Sequence, residues 1–406
     1  MTCEHMTPSR RSVLSASGAL FAWAFMPRFA QAAGNRDARF VTIILRGALD
    51  GLTAAPPIGD PDYLALRENI AMHATGPDAV LPLDGFFALH PSMPNFARLY
   101  KANQAMVIHA SATAYRDRSH FDGQDVLESG HDKPGFTESG WLNRLLAGLP
   151  QGAKVNPGAS QVRGLAIGAN APLVIRGAAP TLGWAPATLK QADADLTHRL
   201  QMLYGESDPQ FAHLLEEGIM TGKIASGMDV KARGGPGDPN GMEQMATGAA
   251  RLIAQPDGPR VAALAFEGWD THVGEIGRLA KLLVGLDKSI AAFERELGPA
   301  WKDTAILVAT EFGRTAHVNG TDGTDHGTGT TAFLAGGAIR GGRVVADWPG
   351  LRKEQLRDGR DLAATTDLRA VIKGVTADLL GASPTLLARD VFPGSDLVKP
   401  MSGLIV

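Results

Sequence analysis

Carboxylate and imidazole side chains, which bind metal ions and transfer protons, lie beside several short apolar runs of this sequence. Such runs are typical of buried strands, and in α/β proteins ligands bind outside the carboxyl ends of parallel strands. Each polar position also suits a turn or a helix cap. Because four predicted strand ends carry such groups, we interpret them together as a candidate active site. The residues are Asp50, Asp270, His272, Glu311, Asp325 and His326.

Asp270 and His272 form a pair directly beyond the apolar run 261–266. They are two residues apart, so in an extended chain their side chains point to the same side. A carboxylate oxygen and an imidazole nitrogen are both good ligands for divalent metals. The pair therefore predicts part of a metal site at the end of this strand.

Ser119 follows the apolar run 105–109 and precedes a helix that we predict from His120 to about Ser129. A hydroxyl at this position faces the free N–H groups and the positive end of the helix dipole. That environment favours a nucleophile or a bound anion. The alternative is a serine that only caps the helix.

These groups are positioned by strands that alternate with helices along the whole chain. Alternation of this kind predicts a three-layer α/β/α sandwich with a mostly parallel central sheet. Residues 34–406 are expected to form a single domain, with a helical insertion at about 189–247. A Gly- and Pro-rich stretch at 232–241 interrupts that insertion and predicts a loop.

Composition narrows the function classes. The chain has 406 residues, 39 of them basic and 42 acidic, for a net charge of −3. No strongly basic surface is indicated, so nucleic acid is not an expected partner. The one cysteine is Cys3, which lies in the N-terminal segment described next. Cysteine nucleophiles, zinc–thiolate sites and a disulfide scaffold are therefore excluded from the domain that follows.

The first 33 residues have the pattern of an export signal. Arg10 and Arg11 form a twin-arginine pair, residues 13–26 are mildly apolar, and residues 30–32 form a small-x-small cleavage site. We expect the twin-arginine machinery to export the folded chain to the periplasm or outside the cell, with no stable membrane span in the mature protein. The alternative is an uncleaved N-terminal anchor helix. Export in the folded state fits a metal acquired before export.

Five blocks of the sequence carry a family resemblance: LRGALDGL at 45–52, SHFDGQDVLESG at 119–130, WDTH at 269–272, TEFGRT at 310–315 and DHGTGTTAFLAGG at 325–337. With these blocks the chain resembles the exported bacterial family known as domain of unknown function 1501. That family is similar to a branch of the alkaline phosphatase-like superfamily, which includes phosphatases, sulfatases and phosphoglycerate mutases.

The resemblance implies an alkaline phosphatase-like fold with metal ions at the carboxyl edge of the sheet. Ser119 would match the nucleophile, and His120 would be a ligand or a general acid/base. Phe312 stands where that superfamily has a histidine after a ligand aspartate, so the choice between one ion and two stays open. Zinc, manganese, calcium and magnesium are all candidates. The implied metal ligands are Asp50, Asp270, His272, Glu311, Asp325 and His326.

The expected function is that of an exported metal-dependent hydrolase acting on phosphate or sulfate esters of small molecules or glycans. Three arginines are candidates for holding the anion: Arg116, Arg118 and Arg314. Arg314 equally suits an ion pair with Glu311. A formylglycine sulfatase is excluded, because the stretch 92–96 lacks the required arginine. The alternative function is a non-catalytic binding or assembly protein that keeps the fold.

Overall fold

The computed structural model describes residues 36–149, 164–186, 200–204, 215–216, 218–219, 221, 235–256 and 258–406. Two sequence predictions fall outside these ranges. The signal segment 1–33 is one of them. The other is the helical insertion, of which only short pieces and the last residues are described. The loop predicted at 232–241 is wrong for residues 239–241, because Asp238 caps a helix that begins at Pro239.

A large sheet forms the centre of the described chain. Its strands run in the order β10-β4-β9-β8-β1-β7-β5-β6, with β11 also paired to β4. Every pairing is parallel except the two made by β9. A separate antiparallel pair is formed by β2 and β3. The strands are β1 (Arg39–Leu45), β2 (Leu81–Pro82), β3 (Ala88–Leu89), β4 (Ala105–Ala112), β5 (Gly164–Ile167), β6 (Thr181–Trp184), β7 (Val261–Phe266), β8 (Thr304–Thr310), β9 (Thr330–Ala335), β10 (Val344–Val345) and β11 (Thr366–Asp367).

Helices cover both faces of this sheet. They are α1 (Gly51–Ala54), α2 (Tyr63–Arg67), α3 (Pro94–Lys101), α4 (His120–Ser129), α5 (Trp141–Gly148), α6 (Pro239–Ala254), α7 (Glu275–Leu297), α8 (Leu368–Leu380) and α9 (Pro384–Leu386). No described helix has both the length and the apolar character that a bilayer span needs.

Two hydrophobic cores lie on opposite faces of the sheet, and β1 contributes to both of them. Val41, Ile43 and Leu45 pack in the core that contains α3, α6 and α7. Phe40 and Ile44 pack in the other core, with α5 and α8. A strand that alternates between two cores is covered on both faces, as parallel strands usually are. The predicted three-layer α/β/α sandwich with a mostly parallel sheet is therefore confirmed.

The sheet register brings the polar groups to one edge. Leu45, Phe266 and Thr310 end β1, β7 and β8 at the same level. The residues that follow these strands therefore leave the sheet side by side. Because β9 runs antiparallel to β8, its beginning lies at this edge, so residues just before Thr330 return to the same place.

Candidate metal centre

Three imidazole rings converge on one carboxylate oxygen, Oδ1 of Asp270. Nε2 of His272 lies 3.0 Å from this oxygen, Nε2 of His326 lies 3.3 Å away, and Nε2 of His120 lies 3.4 Å away. The ligand atoms of His120, Asp270 and His326 all lie within 4.8 Å of one another. The segment after β7, the first residue of α4 and the connection before β9 thus meet at a single point.

The three Nε2 atoms at this point have few partners among the described residues. Nε2 of His272 and Nε2 of His326 face each other at 3.0 Å. Nε2 of His120 is buried and has no hydrogen-bond partner within the described ranges. A neutral imidazole with a hydrogen-bonded Nδ1–H presents a lone pair at Nε2. Lone pairs that converge in this way fit a bound cation.

The other nitrogen of His120 is fixed by a buried carboxylate. Its Nδ1 lies 2.8 Å from Oε1 of Glu311, which also accepts from the Gly47 amide at 2.8 Å and from Gln124 at 3.2 Å. Oε2 of Glu311 accepts from the Thr310 hydroxyl. Burial acts to raise the pKa of Glu311, but these donors, His120 first, hold it below its usual value. The hydrogen bond to Glu311 raises the pKa of His120.

His272 and His326 are oriented in the same manner. Nδ1 of His272 lies 3.1 Å from Oδ1 of Asp325, which also accepts from Asn319. Nδ1 of His326 lies 2.9 Å from the backbone carbonyl of Arg118. Metal-binding histidines typically donate their second N–H to a carboxylate or a carbonyl, which fixes the tautomer and the ring plane. All three rings have this arrangement.

Asp270 is held from behind by Arg314. The Arg314 guanidinium is buried, donates to Oδ1 of Asp270, and also donates to the backbone carbonyl and the hydroxyl of Thr324. Burial acts to raise the pKa of Asp270, but the Arg314 hydrogen bond and charge lower it. The carboxylate therefore stays ionised. Arg314, expected to hold a substrate anion, is committed to positioning Asp270.

Phe312 forms the apolar floor of the centre. Its ring is stacked on His120 with centroids 5.0 Å apart, and it lies 5.4 Å from the ring of His326. A Cβ at Gly123 would lie 2.9 Å from the Phe312 ring, so glycine lets α4 approach this closely. Phe312 thus supports two of the histidine rings and contributes no ligand atom.

Asp50 lies in a different cluster. It is buried at the start of α1, where Oδ1 accepts from the Thr53 amide and Oδ2 lies 2.5 Å from Nη2 of Arg67. The same Nη2 lies 3.4 Å from Oε1 of the buried Glu275. The structure therefore does not bring Asp50, an expected metal ligand, to the three histidines. The Arg67 guanidinium is the cation between Asp50 and Glu275.

The pKa values of the two carboxyl groups in this cluster are shifted in opposite directions. Burial, followed by the negative charge of Asp50, raises the pKa of Glu275 to about 8. Burial also acts to raise the pKa of Asp50, but the Arg67 charge and hydrogen bonds lower it. Glu275 contacts the metal centre indirectly, because its Oε2 accepts from the Thr324 hydroxyl that also binds Arg314.

The expected site residues thus divide into groups. Asp270, His272 and His326 meet with their ligand atoms, and His120 joins them. Glu311 and Asp325, expected as ligands, instead bind Nδ1 atoms of His120 and His272.

Ser119 and Arg116 lie next to this centre along the chain. Ser119 is the N-cap residue of α4, makes no side-chain capping bond, and hydrogen-bonds the Tyr115 hydroxyl. Nη1 of Arg116 donates to the backbone carbonyls of Thr113 and Tyr115, so this part of its guanidinium binds its own segment of the chain. Sequence reasoning missed Arg67, because the irregular stretch that carries it has no periodicity that relates it to Asp50.

The fold and the cluster define a three-layer α/β protein with a candidate metal centre at the carboxyl edge of its sheet. The chain belongs to the family described as protein of unknown function DUF1501, whose model matches residues 37–380. The family prediction is therefore confirmed. No curated protein matches the chain.

Several solved structures show remote similarity. The lipoteichoic acid synthase LtaP from Listeria monocytogenes is 11% identical, with a TM-score of 0.41 over 90% of this chain and 78% of that chain. A protein in the alkaline phosphatase superfamily from Vibrio parahaemolyticus is 10% identical, with a TM-score of 0.41 over 91% and 72% of the two chains. The C-terminal periplasmic domain of EcEptC from Escherichia coli, in complex with zinc, is 8% identical, with a TM-score of 0.35 over 74% and 73%.

Replacing Glu311 with glutamine tests whether the Glu311 carboxylate holds His120 in position for a metal ion. The change removes the charge that fixes Nδ1–H of His120, so we expect zinc affinity to fall about 10- to 100-fold. The measurement is a competition titration with a chelator. Glu267→Gln is the matched control, because Glu267 also follows a strand at this edge but its half-exposed side chain binds Arg46 and none of the three histidines. Equal affinity in Glu311→Gln and the parent would contradict this role.

The pH dependence of stability tests the Asp50–Arg67–Glu275 cluster. The folded-state pKa of Glu275, about 8, lies above the usual value of 4.5. Between these values the folded state retains a proton that the unfolded state releases, so this contribution to the free energy of unfolding is lost as pH rises towards 8. We expect urea denaturation to show a smaller fall over this range in Glu275→Gln than in the parent. Parallel curves would refute the assignment.

Proposed function

We propose that this protein is a metal-dependent hydrolase of phosphate or sulfate esters with one divalent cation per chain. One observation carries the proposal. Nε2 of three histidines and Oδ1 of Asp270 converge, while each ring has its Nδ1 held by a carboxylate or a carbonyl. The proposed ligands are His120, Asp270, His272 and His326.

The donor set favours particular metals. Three imidazole nitrogens and one carboxylate oxygen suit zinc and other first-row transition metals. Calcium and magnesium prefer sets made of oxygen atoms. Of the four metals considered from the sequence, zinc and manganese therefore remain the better candidates, and zinc is the one that we propose.

The number of cations follows from Arg67. Its guanidinium lies between Asp50 and Glu275, the other buried carboxyl pair at this edge. A second metal ion at that position would have to displace the arginine that pairs with Asp50 and lies 3.4 Å from Glu275. We therefore propose a single cation, held by the three histidines and Asp270.

The centre is open to solvent, which suits catalysis better than a purely structural role. The side chains of the four proposed ligands are between 22% and 41% exposed. A cation held there supplies a Lewis acid that polarises a phosphoryl or sulfuryl oxygen. Arg314 and Glu311 keep the ligands in place, and Phe312 excludes water from the floor of the centre.

Ser119 is the proposed nucleophile. It lies between Arg118, whose carbonyl binds His326, and the proposed ligand His120, at the N-terminus of the ten-residue helix α4. Attack by its hydroxyl oxygen on phosphorus or sulfur would release the alcohol and leave an ester on Ser119. Water would then hydrolyse that ester and release the inorganic anion. The N–H groups at the start of α4 favour the anion in both steps.

Export by the twin-arginine route belongs to the same proposal. Residues 1–33 carry the pattern of the signal, and the proposed substrate is then a small-molecule or glycan ester outside the cytoplasm. A metal-loaded chain that is already folded is suitable cargo for this route.

The metal content of the folded, signal-free protein tests the centre. We expect elemental analysis to find about one equivalent of a divalent metal, and none in the Asp270→Ala/His326→Ala double variant. Asp358→Ala, which removes an exposed carboxylate near the centre, is the control and should retain the metal. A well-folded parent that takes up neither zinc nor manganese when these are added would refute the metallohydrolase.

Ser119→Ala tests the nucleophile, with aryl phosphates and aryl sulfates as substrates. We expect kcat to fall by more than about 1,000-fold while the bound metal is unchanged, because the covalent route is lost. Ser119→Cys provides a second variant with a different nucleophile. Full activity in Ser119→Ala would exclude the covalent route and leave water as the nucleophile.

A non-catalytic binding protein is the second candidate, and one observation favours it. Phe121 and Val273 directly follow two of the proposed ligands, and their side chains are 89% and 51% exposed. Ile276, near Val273, is 48% exposed. Exposed apolar side chains around a polar centre suit an interaction surface. A metal-loaded parent that hydrolyses none of the esters would favour this candidate.

A further inference from the structure

The residues Arg357 to Asp361 form a tight turn, which we call the arginine turn. The amide of Arg357 donates to the carbonyl of Asp361 at 2.9 Å, and the amide of Asp361 donates back at 3.0 Å. The amide of Ala316 donates to the carbonyl of Arg360 at 3.0 Å. The arginine turn is therefore fixed against the connection between β8 and β9.

That connection also carries two residues of the metal centre. Thr315, next to Ala316, donates its amide to the carbonyl of Asp325 at 2.9 Å, and its hydroxyl accepts from the Asp325 amide at 3.0 Å. Asp325 binds His272, and the next residue is His326. A short series of hydrogen bonds thus fixes the arginine turn beside the metal centre.

Asp361 orients two arginines. Its side chain is buried, and each oxygen binds a different guanidinium. Oδ2 accepts from Nε of Arg118 at 2.8 Å, and Oδ1 accepts from Nη1 of Arg360 at 3.2 Å. The two arginine side chains remain 26% and 38% exposed. A buried carboxylate therefore holds two partly exposed guanidinium groups next to each other.

Arg118 connects this pair to the metal centre directly. Its carbonyl binds Nδ1 of His326 at 2.9 Å, and its backbone has a φ of 64°. A left-handed conformation is unfavourable for a residue other than glycine, so the surrounding contacts impose it. The other partner of its guanidinium is Asp358, which is 62% exposed and lies 3.0 Å from Nη2.

We propose that Arg118 and Arg360, oriented by Asp361, bind the tetrahedral oxyanion of the substrate. The ligand is the phosphoryl or sulfuryl group of the ester, so this inference rests on the proposed function. Guanidinium groups with fixed planes suit such anions, because their N–H donors match pairs of anionic oxygens. The incoming anion would replace exposed Asp358 on Arg118 and leave buried Asp361 in place. Arg360 is added to the expected anion-binding residues, whereas Arg116 and Arg314 have other partners.

Asp358 and Asp361 provide a matched pair of variants, three residues apart in one turn. Asp358→Asn and Asp361→Asn make the same change in charge. If the arginines acted only through their long-range charge, both variants would bind anions more tightly. If Asp361 positions the two arginines, Asp361→Asn would bind anions more weakly, while Asp358→Asn would bind them more tightly because a competitor is lost.

The experiment is calorimetric titration of the metal-loaded protein with inorganic phosphate and, separately, with inorganic sulfate. We expect dissociation constants about fivefold or more higher in Arg360→Gln and in Asp361→Asn, and about two- to fivefold lower in Asp358→Asn. Arg360→Lys should recover part of the affinity. Arg295→Gln, on the exposed side of α7, is the control for loss of one positive charge and should bind as the parent does.

Two results of the titration would overturn the proposal: unchanged binding in Arg360→Gln, or tighter binding in Asp361→Asn. Equal metal content in all variants ensures that the anion assay reports on the arginines. The outcome is distinguishable from that of the hydrolase proposal. Anion binding that depends on the arginines in a protein that hydrolyses no ester would refute only the hydrolase. Ester hydrolysis with an unchanged KM in Arg360→Gln would refute only the anion-binding role.

Discussion

The site depends on the charge of one carboxylate. Oδ1 of Asp270 accepts from a buried arginine on one side and has three imidazole nitrogens on the other. Arg314 stabilises the ionised carboxylate, so Oδ1 of Asp270 and the three Nε2 lone pairs form a set of electron-pair donors that a shared cation would hold together. Each of the three histidine rings is held in place by an acceptor at its Nδ1 atom. The acceptors are Glu311 for His120, Asp325 for His272 and the Arg118 carbonyl for His326.

A second group of buried ionisable side chains, Asp50, Arg67 and Glu275, is stabilised by the arginine of the chain itself. Asp50 and Glu275 are both removed from water, and a lone buried carboxylate pair would be strongly unfavourable. Arg67 balances the charge of Asp50, Glu275 keeps its proton up to about pH 8, and Thr53 and Thr324 donate to the oxygens of Glu275. Thr324 also binds Arg314, so the Arg67 guanidinium and the proposed metal site belong to one hydrogen-bond network. A substitution at Asp50, Arg67 or Glu275 can therefore alter the position of Asp270 through Thr324 and Arg314.

The sequence was sufficient for the fold, because apolar runs and their spacing determine which strands are buried. It also indicated that Asp270, His272 and His326 lie beside strand ends at one edge, and the structure brings their ligand atoms together. It could not separate a ligand from a residue that supports a ligand. Glu311 and Asp325 have the same chemistry as ligands, and only their distances to Nδ1 atoms assign them. The partner of Asp50 was also inaccessible, because Arg67 approaches it through tertiary packing. The antiparallel direction of β9 depends on its pairing, which residue periodicity does not encode.

The proposed ligands are far apart along the chain. His120 begins a helix beyond β4, Asp270 and His272 follow β7, and His326 precedes β9. No two of these segments can meet until the strands between them have paired in the correct order. A cation bound there would consequently join segments more than 200 residues apart and would bind the assembled sheet far better than any partly folded chain. By mass action the cation would stabilise the native state and not the partly folded states. Folded molecules would therefore retain the metal, whereas incompletely folded molecules would lose it.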